Sequence, residues 1–132
     1  MRSAHTLELS DARKVIDAAR REAVRNDWKV GISVVDPGGH QIAFERMDDA
    51  SPSTARVAEE KARTAALFRV ATSGMEDRIE GRPGMLALPG ATPLKGGVPL
   101  IVEGQIIGAV GVSGVLPQQD HQIAAAGAAT VS

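Results

Sequence analysis

Two positively charged side chains are placed by sequence periodicity on faces that are otherwise apolar. Arg46 has the same strand parity as Ile42 and Phe44, so strict alternation puts its guanidinium on the face that carries them. Lys61 lies one helical turn before Ala65, on or beside an apolar stripe. A guanidinium can clamp an anion with paired N–H donors, and a desolvated lysine can act as a base or a Schiff-base nucleophile. The two cations are therefore the first candidates for a binding or catalytic site.

Each cation also has a purely structural explanation. Arg46 could end its strand in solvent, or it could form an ion pair with an acid nearby. The candidate acids are Asp48, Asp49 and Glu59. Lys61 could lay its aliphatic stem along apolar surface while its ammonium reaches water, and no acid at helical spacing identifies a partner. The sequence leaves these alternatives open.

A glycine-rich strand over residues 108–114, in which Ser113 supplies the hydroxyl, is the third candidate. Small residues occur on both of its faces, which permits a close approach to the backbone. The approaching group could be a ligand, with Ser113 as hydrogen-bond donor, or the alanine-rich helix that precedes the strand in sequence. The spacing excludes a nucleophile elbow, since Gly114 follows Ser113 directly, and it does not fit a dinucleotide fingerprint.

The three histidines, His5, His40 and His121, are too scattered to form a local metal motif, and we predict no metal site from their spacing. Each lies beside a predicted turn or element end, where we expect it at the surface. Any of them, or a methionine, could be an axial haem ligand, because haem needs only one or two donors in an apolar slot. His40 is also, with Lys61, a candidate for moving a proton in catalysis.

Composition narrows the class of protein. The 132 residues suffice for one core, so we expect a single domain over residues 1–132. The chain has 15 basic and 16 acidic residues, and its aromatic residues are one Trp and two Phe, which disfavours nucleic-acid binding. It has no cysteine, so disulfides and thiolate metal sites are excluded. No apolar run is long enough for a membrane span, and we expect a cytoplasmic protein.

The elements that must position these residues alternate helices with hairpins. Such an order predicts an α+β fold in which an antiparallel sheet packs against helices. A long connection within it is typical of a binding loop, an interface loop or a disordered segment. The predicted elements are a helix from Ser10, a hairpin turning at 36–39, a helix from Thr54 to about Ala71, a connection over 74–97, a hairpin turning at 103–104 and a helix from Pro117.

Seven blocks of this sequence, in the family's order, resemble the GlcG/HbpS family, which also occurs as the C-terminal domain of PduO-type proteins. The blocks extend over nearly the whole chain. The resemblance implies a profilin-like α/β domain, with a central antiparallel sheet of about five strands flanked by helices, and a homo-oligomer of up to eight copies. The blocks are LSDA at 9–12, VVDPGGH at 34–40, FERMDDA at 44–50, EKARTA at 60–65, GGVPL at 96–100, GAVGVSG at 108–114 and QD at 119–120.

The resemblance also implies a ligand class and a set of site residues. Members of the family are linked to haem or corrinoid binding and to catabolic pathways. From their own positions, Asp36 and Asp120 can equally be a turn residue and a helix-start residue. The family's recurrent polar positions fall on Asp36, Arg46, Lys61, Ser113 and Asp120, and its glycines on Gly96, Gly97, Gly111 and Gly114.

Three functions are compatible with these observations. The first is binding of a small ligand, such as haem or a related tetrapyrrole, in a pocket that the second hairpin, the second helix and the long connection form near a subunit boundary. The second is an enzyme in which Arg46 orients an anionic or carbonyl substrate while Lys61 or His40 moves a proton. Ser113 or strand amides would then hold an oxyanion. The third is an accessory or assembly subunit without a ligand site.

Overall fold

The computed structural model, which describes residues 1–131, alternates helices with two β-hairpins. The four strands form one antiparallel sheet, in which the spatial order is second, first, fourth and third along the chain. None of the helices within residues 1–131 is long and apolar enough to cross a bilayer. The elements are α1 (Leu9–Arg25), β1 (Gly31–Val35), β2 (Gln41–Arg46), α2 (Ser53–Phe68), α3 (Thr72–Ile79), a 3-10 helix (Pro83–Ala87), β3 (Gly97–Val102), β4 (Gln105–Ser113) and α4 (Pro117–Ala128).

The architecture confirms an α+β fold in which helices flank an antiparallel sheet. The expectation of about five strands is wrong, since residues 1–131 form four. Each hairpin contributes two strands, and the long connection between the hairpins adds helical turns instead of a further strand.

Helices cover both faces of the sheet, so the central strand β1 is buried at all five positions. On one face Ile32 belongs to a buried cluster with Val15 of α1 and Ile123 of α4. On the other face Val35 packs with Ala62 of α2. Removal of these side chains from water is the main stabilising contribution to the sheet.

Helix α2 lies close to β3 and β4 because glycines face it. A Cβ atom on Gly111 would lie 2.5 Å from the amide nitrogen of Ala62 and would overlap the carbonyl oxygen of Ala58. A Cβ atom on Gly97 would overlap the carbonyl oxygen of Lys61. Close packing against the alanine-rich helix therefore accounts for these two glycines.

Helix α2 ends at Phe68, before the predicted end near Ala71. Arg69 follows with a left-handed backbone (φ 59°), which is a common way to end a helix. The predicted C-terminal end of the helix is too late because alanine-rich composition favours a helix but carries no information on this cap.

The connection predicted over 74–97 is partly helical, since α3 and the 3-10 helix fall within or beside it. It returns to α2, where the backbone N–H of Thr92 donates to Thr64 Oγ1 at 2.8 Å. It then enters β3, where the N–H of Gly97 donates to the buried Thr72 hydroxyl at 2.8 Å. The C-terminal part of the connection is thus fixed to α2 and α3.

The second hairpin turns at the two residues expected. Glu103 (φ 49°) and Gly104 (φ 77°) both have left-handed backbones, as a type I′ turn requires. This turn matches the twist of β3 and β4 and sets their pairing from Val102 opposite Gln105 onward.

Candidate functional site

Lys61 and Asp120 are the buried charged side chains within residues 1–131, and they are 4% and 3% exposed. Lys61 Nζ donates to Asp120 Oδ2 at 2.9 Å and to the carbonyl oxygen of Val112 at 3.0 Å. The lysine is on α2, the aspartate on the first turns of α4, and the carbonyl on β4. The ion pair therefore joins three elements, and Asp120 is the partner of Lys61 that the sequence did not identify.

The second oxygen of Asp120 is also held, because Oδ1 accepts the backbone N–H of Val115 at 3.1 Å. Burial raises the pKa of Asp120, and this effect exceeds the opposing effects of the Lys61 ammonium and the backbone donors. Ionisation of Asp120 in this place depends on the lysine. Removal of either partner would leave a charge in a buried environment.

Gly96 closes the space beside the ion pair. Its φ of +130° lies in the region that favours glycine. A Cβ atom there would lie 2.5 Å from the carbonyl oxygen of Val112, 3.0 Å from Lys61 Cδ and 3.1 Å from Asp120 Cβ. Backbone and the lysine stem thus fill this space, and the ammonium is enclosed.

Ser113, a candidate hydrogen-bond donor to a ligand, ends β4 next to this cluster. It pairs with Gly31 of β1 and is half-buried. The residues of the predicted site that the structure brings together around α2 are Lys61, Gly96, Gly97, Gly111 and Asp120. Ser113 directly follows Val112, whose carbonyl oxygen accepts from Lys61.

Asp36 and His40 lie in the β1–β2 turn. Asp36 Oδ1 accepts the backbone N–H groups of Gly38 at 2.8 Å and of His40 at 3.0 Å, as expected of a turn residue. Burial tends to raise the pKa of Asp36, but these hydrogen bonds and the nearby His40 imidazole together lower it below 3.8. The side chain of His40 is 83% exposed. Asp36 is therefore charged and fixed beside an open imidazole.

Arg46 is exposed at the end of the edge strand β2, and within residues 1–131 it has no ion pair. Arg46 therefore matches the alternative in which its strand ends in solvent. Arg46 has the same strand parity as Phe44, as predicted, but Phe44 is itself only half-buried on this edge strand. Arg46 lines an open groove of about 420 Å³ with charged neighbours that include Arg20 and Asp48.

The other two histidines differ in exposure. His5 is exposed, and its Nε2 lies 3.0 Å from Glu103 Oε2 at the edge of a groove of about 320 Å³. His121 is partly buried, and its Nδ1 has no hydrogen-bond partner within residues 1–131. The same part of the chain contains no group of three or more His, Asp or Glu side chains that could hold a metal ion.

Three grooves of the single chain lie away from the pocket expected around α2. Their volumes are about 320, 420 and 410 Å³. None of these three is lined by a residue of α2. One copy of the chain thus offers open grooves on the α1 side and at the sheet edge, whereas the polar cluster under α2 is closed.

The fold and the cluster define a class of small α+β proteins. In this class helices cover an antiparallel sheet, and a lysine–aspartate pair is buried between them. The family model described as haem degrading protein HbpS-like matches residues 7–129. The chain belongs to this family. The resemblance that its seven sequence blocks indicate is confirmed.

Particular relatives agree with this assignment. Protein GlcG of Escherichia coli (strain K12) is 52% identical over 103 residues, which are 77% of this chain and 77% of GlcG. The crystal structure of a double mutant of HbpS from Streptomyces reticuli matches with a TM-score of 0.91 at 32% identity, over 100% of this chain and 91% of that chain. The crystal structure of the complex of PduOC with haem matches with a TM-score of 0.87 at 28% identity, over 97% of this chain and 96% of that chain.

Proposed function

We propose that this protein binds haem or a related tetrapyrrole at a site that a second copy of the chain completes. The observation that carries the proposal is the likeness to PduOC, a protein solved in complex with haem, over nearly the full length of both chains. The family description, which refers to haem degradation, supports the same ligand class. Haem supplies a redox-active iron when bound, and the residues of the protein bind and orient it.

Five exposed apolar side chains at the end of α2 and along the connection that follows would suit the haem macrocycle, and we call this set the apolar rim. The Thr92 to Thr64 hydrogen bond holds the connection against α2, one helical turn from the first rim residue. Arg63 and Arg69 are exposed on the same stretch and could pair with haem carboxylates. The rim residues are Leu67, Val70, Leu86, Leu88 and Leu94.

A second copy is part of the proposal because one copy leaves the apolar rim in solvent. Exposed apolar patches on soluble proteins mark interaction sites. The open grooves of a single chain, about 320 to 420 Å³, are at the low end for a drug-sized ligand. A second copy placed over the rim would cover the opposite face of the macrocycle and exclude water from it. We therefore expect a homo-oligomer.

The enzyme hypothesis has less support from the geometry. A general base must come within hydrogen-bond reach of the substrate proton, whereas the Lys61 ammonium is enclosed by Gly96 and bonded to Asp120. Arg46 lines a different groove, to which Lys61 does not contribute. An enzyme built on these two cations would need α2 or the Gly96 segment to move.

Titration of the purified protein with haemin, followed by absorbance, tests the proposal. We expect a saturable Soret shift with a fixed ratio of haem to protein. Burial of one leucine contributes roughly 1.5–3 kcal/mol, so Leu86→Gln in the apolar rim should weaken binding about tenfold or more. Leu9→Gln, which changes an exposed leucine of α1, is the matched control and should bind as the wild type does. A free-haemin spectrum at every ratio would overturn the proposal.

A further inference from the structure

The imidazole of His40 lies beside a carboxylate, as many metal-ligating imidazoles do. Its Nδ1 lies 3.3 Å from Asp36 Oδ1, and that carboxylate is itself fixed by the N–H groups of Gly38 and His40. A carboxylate at this position favours a proton on Nδ1, which leaves the lone pair of Nε2 free for a metal. Because the side chain is 83% exposed, Nε2 is open to a ligand from outside.

The surroundings of His40 supply the other groups that haem needs. A Cβ atom on the preceding Gly39 would lie 2.8 Å from Arg63 Cγ and 3.6 Å from Leu67 Cδ2, so the turn contacts α2 at these two residues. Leu67 is the first residue of the apolar rim, and the exposed Arg63 carries a guanidinium. A nitrogen donor, one apolar side chain of the rim and a cation thus meet on one surface.

The other two histidines and the buried Met75 are less suited to an axial role. His5 has its Nε2 engaged by Glu103 and sits at a polar groove on the far hairpin turn. His121 is partly buried, with Nδ1 enclosed, and Met75 is only 3% exposed. His40 alone of these four presents a donor next to the apolar rim.

We propose that Nε2 of His40 is an axial ligand of the haem iron, that Asp36 orients the imidazole, and that Arg63 binds a haem carboxylate. This inference rests on the proposed function and assigns its ligating atom. Asp36 acts through His40 and is a positioning residue.

The test compares haemin complexes of the wild type and of His40→Ala by absorbance and electron paramagnetic resonance. We expect the imidazole-ligated ferric spectrum in the wild type, its loss in His40→Ala, and its recovery when free imidazole is added to the variant. His5→Ala, which removes the other exposed histidine, is the control and should keep the wild-type spectrum.

Two further variants test the neighbours. Asp36→Asn keeps an oxygen for the turn N–H groups but removes the charge, so haemin should bind roughly tenfold more weakly or worse with the ligand type unchanged. Arg63→Gln should weaken binding, whereas Arg56→Gln, at another exposed arginine of α2, should leave it unchanged.

The outcomes separate this inference from the function on which it rests. A wild type that binds haemin together with a His40→Ala variant of identical spectrum would refute His40 as the ligand while haem binding stands. Equal spectral loss in His40→Ala and His5→Ala would refute it too. A wild type that leaves the free-haemin spectrum unchanged would overturn both proposals.

Discussion

Loss of one partner of the Lys61–Asp120 pair should destabilise the fold far more than loss of a surface ion pair. Lys61→Met keeps the aliphatic stem beside Gly96 but leaves the Asp120 carboxylate, 3% exposed, without its cation. Removing one partner of a buried pair costs roughly 3–5 kcal/mol. Asp120→Asn should cost a similar amount, since it leaves the buried Lys61 ammonium without a counter-charge and its single amide oxygen can accept from Lys61 or from Val115 but not from both.

The double variant Lys61→Met/Asp120→Asn contains no buried charge at this place. Its loss of stability should therefore be smaller than the sum of the two single losses by about 1 kcal/mol or more. Such a coupling energy would show that the two groups stabilise the fold as a pair.

Urea unfolding at fixed protein concentration measures these free energies, with Trp28 fluorescence and far-UV circular dichroism as probes. Trp28 packs against the main core and reports on it. Lys95→Met is the matched control, since Lys95 Nζ lies 3.1 Å from Asp77 Oδ1 and that carboxylate is 67% exposed. Its effect should stay within about 1 kcal/mol.

Two results would refute this reasoning. One is a Lys61→Met variant no less stable than Lys95→Met, which would mean that the buried pair contributes nothing beyond a surface contact. The other is a double variant whose loss equals the sum of the single losses, which would mean that the two side chains act independently.

Two more predictions concern the glycines and the β1–β2 turn. Gly111→Ala should lower the free energy of unfolding by roughly 1–3 kcal/mol or more, since its Cβ would overlap α2 backbone. Gly74→Ala in α3, where nothing lies within 4 Å of the added Cβ, should raise the free energy of unfolding by up to about 1 kcal/mol. Urea unfolding of the two variants checks this prediction. Equal effects of the two substitutions would contradict it. Because the pKa of Asp36 is lowered on folding, its carboxylate stabilises the protein above its ordinary value of 3.8, and this contribution is lost as pH falls through the lowered value. Asp36→Asn should thus lower Tm at neutral pH and converge with the wild type in acid; a Tm difference independent of pH would count against this.

Local patterns were sufficient for most elements. The spacing of Val15 and Ile16 placed α1, and both residues are buried. The Glu103-Gly104 pair fixed the second hairpin, and Pro117 begins α4 as expected. These features depend on neighbours within a few residues, which is the range that periodicity and turn chemistry cover.

The candidate site depended on contacts that no local pattern records. Lys61 was placed correctly near an apolar stripe, but its partner Asp120 is 59 residues away and meets it only when α4 packs beside α2. The spacing of Gly97 and Gly111 is the same whether a ligand or a helix approaches, and only the position of α2 decides. Arg46 has the predicted parity, yet an edge strand that ends there leaves it in solvent.

We expect haem to bind at the apolar rim between two copies of this chain. Crystallography of the haemin-loaded protein, with anomalous scattering measured at the iron edge, tests it most directly. We expect an iron peak beside the β1–β2 turn, with the macrocycle against Leu67 and a second copy over its opposite face. An iron peak in any other part of the chain, or a macrocycle that touches only one copy, would contradict it.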